Sequence, residues 1–190
     1  MDQIQESKLS LEEYNRLEDE RNQRYEYHDG EVFAMAGGDP KHGAIASNLI
    51  RLLGNALLGK GCRVFNSDVK VYIIALNKSL YPDLSVVCGL VERSDKDARA
   101  VSNPTLLVEV LSESTRNYDS REKFMYYSQI PTLKEYVLVE QDQPLVQVFF
   151  RGDSGKKWQM EWFSGVKSTV KLQSVEVAIP VGDIYADTKF

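Results

Sequence analysis

Apolar residues recur along the chain with two periods, and the changes of period mark where elements begin and end. Ser10 with Glu13 forms a capping box ahead of Leu11, Tyr14 and Leu17, which predicts a short helix from Leu11 to about Asp19. RYEYH and EVFAM then flank Asp29-Gly30, the signature of a hairpin over Arg24–Met35. Asp39-Pro40 supplies an N-cap and a first-turn proline. The helix that follows carries Ile45, Leu49, Leu52, Leu53, Ala56 and Leu57 on one face to about Leu58, and Gly59 and Gly61 end it.

The period then falls to two. Arg63 to Ile74 reads as one strand, with Phe65, Val69, Val71 and Ile73 opposite Asn66, Asp68 and Lys70. Leu84–Cys88 is a short apolar strand directly after Tyr81-Pro82-Asp83, and a charged loop spans Glu92 to Ala100. TLLVEVL, residues 105–111, is apolar except for Glu109 and reads as a central strand buried on both faces. Asp119 with Glu122 suggests a second capping box, opening a helix that carries Lys123, Phe124, Tyr126 and Tyr127 and stops at Ile130-Pro131. A strand over 134–140, three further strand segments (LVQVFF, KWQMEWF and SVEVAI) and a terminal turn from Val181 to Asp187 complete the chain.

This order predicts an α/β (α+β) fold in which helices flank a mixed central β-sheet. With no linker rich in Pro, Gly or Ser, residues 1–190 are expected to form one domain. Its parts are an N-terminal helix and hairpin (1–40), an αβββαβ core (41–140) and a C-terminal β extension (141–190).

Composition excludes more than it assigns. With 43% hydrophobic and 27% charged residues the chain is neither disordered nor a repeat array. No apolar stretch has the length of a membrane span, and the polar, acidic start argues against a signal peptide, so no membrane partner is expected. Cys62 and Cys88 lack zinc spacing and fall in apolar runs, which predicts buried thiols in a reducing cytoplasm. The net charge of −5 argues against a general nucleic-acid coat protein. That acidity is concentrated in residues 1–40, with a net of −7, whereas residues 41–190 sum to +2.

Candidate chemistry centres on two carboxylates. Glu109 is the one ionisable group in its strand, and an unpartnered buried carboxylate is costly, so it needs a salt bridge, a solvated strand end or a metal ion. Asp83 enters a strand after a proline; alone it would suggest an Asx turn, but if the two strands are neighbours both carboxylates converge at one sheet edge. Oxygen ligands of this kind suit Mg²⁺ or Mn²⁺. No P-loop, dinucleotide fingerprint, nucleophile elbow or zinc-protease motif is present.

RYEYHDGEVFAMAG, HGAIASNL, YPDLSVV, LLVEVLSEST, YDSREKFMYY and LKEYVLVE occur in that order, and the ordered set resembles the large bacterial Uma family of restriction-endonuclease-like proteins, in the PD-(D/E)XK superfamily. The resemblance runs from about Ser10 to Asp183. It implies a Mg²⁺- or Mn²⁺-dependent endonuclease acting on DNA; the alternatives are a catalytically inactive nuclease-fold module that binds nucleic acid or another partner, and a metal-dependent phosphodiesterase on a small substrate. Asp83 and Glu109 would be its metal ligands, with the Val110 carbonyl as a third. Leu111 stands where the superfamily has its lysine, and Lys123 matches a migrated lysine. Glu26 is expected to complete the acidic cluster or pair with Lys123. His42, Asp68 and Ser112 are expected in substrate-binding or supporting places, and Asp119 is expected to cap its helix. Cutting two strands would be easiest for a homodimer, with the C-terminal hairpins as its interface.

Overall fold

The computed structural model describes residues 8–35, 39–152 and 157–188. Two sheets share the work of the fold. The larger has the order β11-β10-β9-β8-β6-β3, built from β3 (Cys62–Asn66), β6 (Leu84–Cys88), β8 (Leu106–Leu111), β9 (Glu135–Glu140), β10 (Leu145–Arg151) and β11 (Trp158–Ser164). The smaller has the order β2-β1-β5-β4-β7, from β1 (Tyr25–His28), β2 (Glu31–Ala34), β4 (Lys70–Ile73), β5 (Lys78–Leu80) and β7 (Ala100–Val101). Within the larger sheet β8 runs parallel to β9 and antiparallel to β6, so the expected mixed αβββαβ core is present.

Helix α1 (Leu11–Arg21) starts at the Ser10–Glu13 capping box, with Ser10 N–H donating to the Glu13 carboxylate at 2.7 Å. Helix α2 (Pro40–Leu57) starts at Asp39, whose carboxylate accepts from the Lys41 and His42 amides at 2.8 and 3.0 Å. Its buried stripe Ile45, Leu49, Leu53 and Leu57 packs on the larger sheet in one apolar cluster with Val86, Val108, Val137 and Val139. The hairpin β12 (Thr169–Leu172) with β13 (Val177–Pro180), and the short helix α4 (Val181–Ile184), close over the same cluster. The opposite face of the larger sheet packs Leu107, Leu111 and Leu138 against Tyr127, Ile130 and the smaller sheet's Val71 and Ile73.

Four readings from sequence are corrected. Arg63–Ile74 is two strands, not one. The Asn66 carboxamide accepts from the Asp68 amide at 3.2 Å, and the Val69 amide bonds back to the Asn66 carbonyl at 3.2 Å, so the chain turns and passes from one sheet to the other. Lys70 is consequently not on a solvated face: it is 2% exposed and bonded at 2.9 Å to both Glu18 and Asp97. The residues of SVEVAI divide between a 3-10 turn and β13.

The proposed cap at Asp119 also fails, because the Asp119 amide bonds to the Thr115 carbonyl at 2.9 Å and the residue sits inside a helix already under way. The start belongs to Ser112, whose hydroxyl accepts from the Thr115 amide at 3.3 Å while its carbonyl accepts from Arg116 at 3.0 Å. This helix has a π-helical stretch, Tyr118–Lys123, and continues as α3 (Phe124–Tyr127).

Finally, the cysteines are not thiols. β3 pairs with β6 in a register that sets Cys62 opposite Cys88, and the two form a disulfide that is only half-buried. Twenty-six residues separate them in sequence, with β4 and β5 between, which is why nothing in the local pattern pairs them. Disulfides are rare in reducing compartments, so the cysteines no longer support a cytoplasmic location. Among the described residues no helix is long and apolar enough to cross a membrane.

Closing a loop of this size restricts the unfolded chain by about 3 kcal/mol. Urea unfolding of the oxidised protein and of the Cys62→Ala/Cys88→Ala variant should therefore differ by roughly that amount. Equal midpoints, with both thiols titratable under denaturing conditions, would show that the bond does not form.

Candidate active site

Pairing of β6 with β8 sets Leu84 opposite Val108, which brings Asp83 beside Glu109. Because Asp83 follows Pro82 at the entrance of its strand, its own amide lies free of the ladder and donates to Glu109 Oε2 at 3.2 Å. The Asp83 carboxylate reaches back to accept from the Val110 amide at 2.7 Å. Each carboxylate is thus oriented by the other strand's backbone. Asp83 Oδ1 also lies 2.9 Å from His42 Nε2, one turn into α2.

Glu109 is 3% exposed, and its other oxygen, Oε1, accepts from Lys123 Nζ at 3.0 Å and from the Tyr127 hydroxyl at 3.2 Å. Leu111, two residues on, shares the Glu109 face of β8 but joins the apolar cluster there with Leu107. The ammonium arrives instead from the π-helical stretch. Lys123 is also 3.3 Å from Glu26 on β1 and 3.3 Å from Asp119, four residues earlier in its own helix. Glu26 is fully buried and accepts from the Tyr118 hydroxyl at 2.7 Å, with His28 3.6 Å away.

Four carboxylates therefore surround or adjoin one lysine and two histidines. Burial pushes the Glu109 pKa well above the usual carboxylate range, and Asp119 and Asp83 add to the rise against the opposing pull of Lys123. Asp119 is raised for the same leading reason. Burial works against the Lys123 ammonium, but Glu109 and Glu26 outweigh it and hold its pKa well above normal. Glu26 is lowered despite its burial, by Lys123 and by bonds from His28 and Tyr118. The hydrogen bond to Asp83 raises His42. Lysine thus stays charged, while burial and neighbouring acids oppose ionisation of Glu109 and Asp119. Among the described residues no three His, Cys, Asp or Glu side chains form a ready-made metal cage.

All of this opens into a cleft of about 1050 Å³ lined by α2, the turn after β3, Asp83, Glu109, Val110 and the start of the helix leading to α3. Asp68 and Ser112 line the cleft but do not join the cluster: Asp68 pairs with Arg24 at 3.1 Å and Ser112 caps its helix. Of the tyrosines, Tyr118 and Tyr127 bond into the cluster, while the Tyr126 hydroxyl reaches Glu122. Sequence reading missed Asp119 and His28 as members. The spacing of four between Asp119 and Lys123 was the available signal for the first; nothing local marks the second.

Comparison with known proteins fits this arrangement. The profile of the Uma2 family, described as "Putative restriction endonuclease", matches residues 11–182. The chain belongs to the Uma2 family. An uncharacterised protein of Synechocystis sp. (strain ATCC 27184 / PCC 6803 / Kazusa), slr1290, is 34% identical over 96% of this chain and 94% of its own. A second from the same organism, sll1609, is 29% identical over 89% and 95%. The crystal structure of a putative nuclease belonging to DUF820 from Anabaena variabilis ATCC 29413 superposes with a TM-score of 0.71 at 17% identity, covering 87% of this chain and 91% of that one. That likeness shows a shared fold.

An acid whose folded-state pKa is raised binds more protons folded than unfolded, so stability falls as pH rises from the unfolded value near 4.5 upward. Metal-free protein should accordingly melt at lower temperature at pH 8 than at pH 5.5. Glu109→Gln should flatten that dependence and raise the pH 8 midpoint, about 2–4 °C for each kcal/mol recovered. A variant melting below wild type at pH 8 with the slope intact would refute the raised pKa assigned to Glu109.

Proposed function

We propose that this Uma2 protein is a metal-dependent endonuclease that hydrolyses phosphodiester bonds of DNA, with Asp83 and Glu109 holding Mg²⁺ (or Mn²⁺) and the Val110 carbonyl as a third oxygen ligand. The observation that carries the reading is the position of Lys123. Its ammonium lies 3.0 Å from Glu109 although the strand itself offers only Leu111. The residues fit a hard divalent cation: the donors are carboxylate oxygens, and a cation beside them would offset the burial that disfavours the charged form of Glu109. When bound, such an ion polarises a phosphoryl oxygen and lowers the pKa of a water ligand.

The protein's own groups do the rest. Lys123 presents a permanently charged donor at the cleft end of the cluster, placed to bond a non-bridging phosphoryl oxygen or to orient the attacking water. Glu26 and Asp119 hold that ammonium from behind, and Tyr118 fixes Glu26 in turn. His42 restrains the Asp83 carboxylate through its hydrogen bond, and that bond raises the imidazole pKa. Tyr127 keeps Glu109 Oε1 turned towards Lys123, leaving Oε2 beside Asp83.

Calorimetric titration of Mg²⁺ and Mn²⁺, in parallel with cleavage of supercoiled and single-stranded circular DNA, tests the proposal. Wild type should bind metal and cut, and Asp83→Ala/Glu109→Ala should do neither while remaining folded. Lys123→Ala should bind metal yet cut about 10²–10³-fold more slowly, as for loss of one positioned charge stabiliser. Equal cleavage by wild type and the acidic double variant would overturn it.

A further inference from the structure

The cleft that leads to Asp83 and Glu109 is poorly suited to a duplex. Seven carboxylates line it against four side chains of permanent positive charge. None of those four is spare among the described residues. Arg24 pairs with Asp68 at 3.1 Å, Arg99 with Asp19 at 2.7 Å, Lys70 with Glu18 and Asp97, and Lys123 with its three acids. Duplex DNA presents a charge about every 1.7 Å along its axis, and proteins that hold it draw most of their non-specific affinity from Lys and Arg freed for phosphates. One divalent ion would not reverse the excess.

Affinity must then come from groups other than phosphates, and the cleft supplies them. Met35, Ala46 and Ile50 give it a partly buried apolar wall. Asn22 and Ser47 also line the cleft and add neutral donors and acceptors, and the side chains of both are free of hydrogen bonds to other described residues. Gly43 leaves room beside them: a β-carbon built there meets nothing within 4 Å. An apolar surface with uncharged polar groups beside it suits the face and edge of a nucleobase, and a base offers both only when unpaired and unstacked.

We propose that the cleft takes an unpaired nucleotide, its base against the Met35–Ala46–Ile50 wall, so that the substrate is single-stranded nucleic acid rather than a duplex. This rests on the phosphodiesterase reading of the same site but concerns a different part of it, and binding without turnover separates the two. The full chain, without divalent metal, would be titrated by fluorescence anisotropy with three labelled probes: a 12-residue DNA strand, the same strand as a duplex, and an abasic strand of equal length and charge.

The expected result is single-strand binding at least tenfold tighter than to either other probe. Met35→Glu and Gly43→Leu should each weaken it at least fivefold. Gly43→Leu replaces a helical glycine with a strong helix former, so its fold is not at risk, and thermal melting would confirm that for both. Duplex or abasic strand bound as tightly as the base-bearing strand, single-strand affinity unchanged in both folded variants, or no binding of any probe would each overturn the proposal. Absence of Mg²⁺-dependent cleavage despite selective single-strand binding would instead refute the nuclease reading and leave the base site standing.

Discussion

One buried ammonium holds the two sheets in register. Lys123 donates to Glu109 on the larger sheet, pairs with Glu26 on the smaller and with Asp119 on its own helix, and lies 3.5 Å from the Tyr81 carbonyl at the strand entrance. A charge with 5% exposure survives only because every direction it faces is anionic or polar. All three acids face the same ammonium, so the positions of β1, β8 and the π-helical stretch are coupled through a single nitrogen. The π-helical turn is part of that arrangement. It sets Asp119 and Lys123 together on the buried side, and such turns occur most often where function demands an irregular helix.

A second buried lysine does the same work at the other end of the cleft. Lys70 joins Glu18 of α1 to Asp97 of the 92–100 loop, and Glu18 also accepts from the hydroxyls of Tyr14 and Tyr81 and from the Tyr25 amide. The contrast with Lys123 is informative. Around Lys70 two carboxylates are satisfied by several donors, a balanced network suited to holding α1 and the loop in place. Around Lys123 three carboxylates share one ammonium, and Glu26 Oε1 has no hydrogen bond beyond its ion pair. Imbalance of this kind costs stability, and proteins tolerate it where a ligand completes the charge.

Much of the architecture was legible because local chemistry and periodicity agreed with tertiary structure. Both N-caps, the Asp29-Gly30 hairpin and the apolar strand around Glu109 are written in a few neighbouring residues each, and β8's isolated carboxylate marks its own importance. What failed depended on distant partners. Val69–Ile73 continued the alternation of Cys62–Asn66 so smoothly that the change of sheet at Ser67-Asp68 left no break in the pattern. Lys70 looked solvated because its acids lie 52 residues before and 27 after it in the chain. Asp119 satisfied a capping-box pattern that the earlier start at Ser112 made irrelevant. The cysteine pair needed strand register, which no spacing of 26 residues discloses.

Leu111 and Lys123 show how a helix can supply a charge that the adjoining strand does not. The Glu109 face of β8 packs against the smaller sheet and α3, and an apolar Leu111 there adds to the core beside Leu107 and Leu138. A lysine in its place would have to reach the cluster past that packing. From the helix, Lys123 arrives at the same carboxylate with its stem buried and its ammonium alone in the polar centre. What is preserved is a positive charge about 3 Å from Glu109, at the edge where Asp83 enters. Geometry fixes where the charge must be; it does not fix which element delivers it, and in this chain the element with room to do so is the helix.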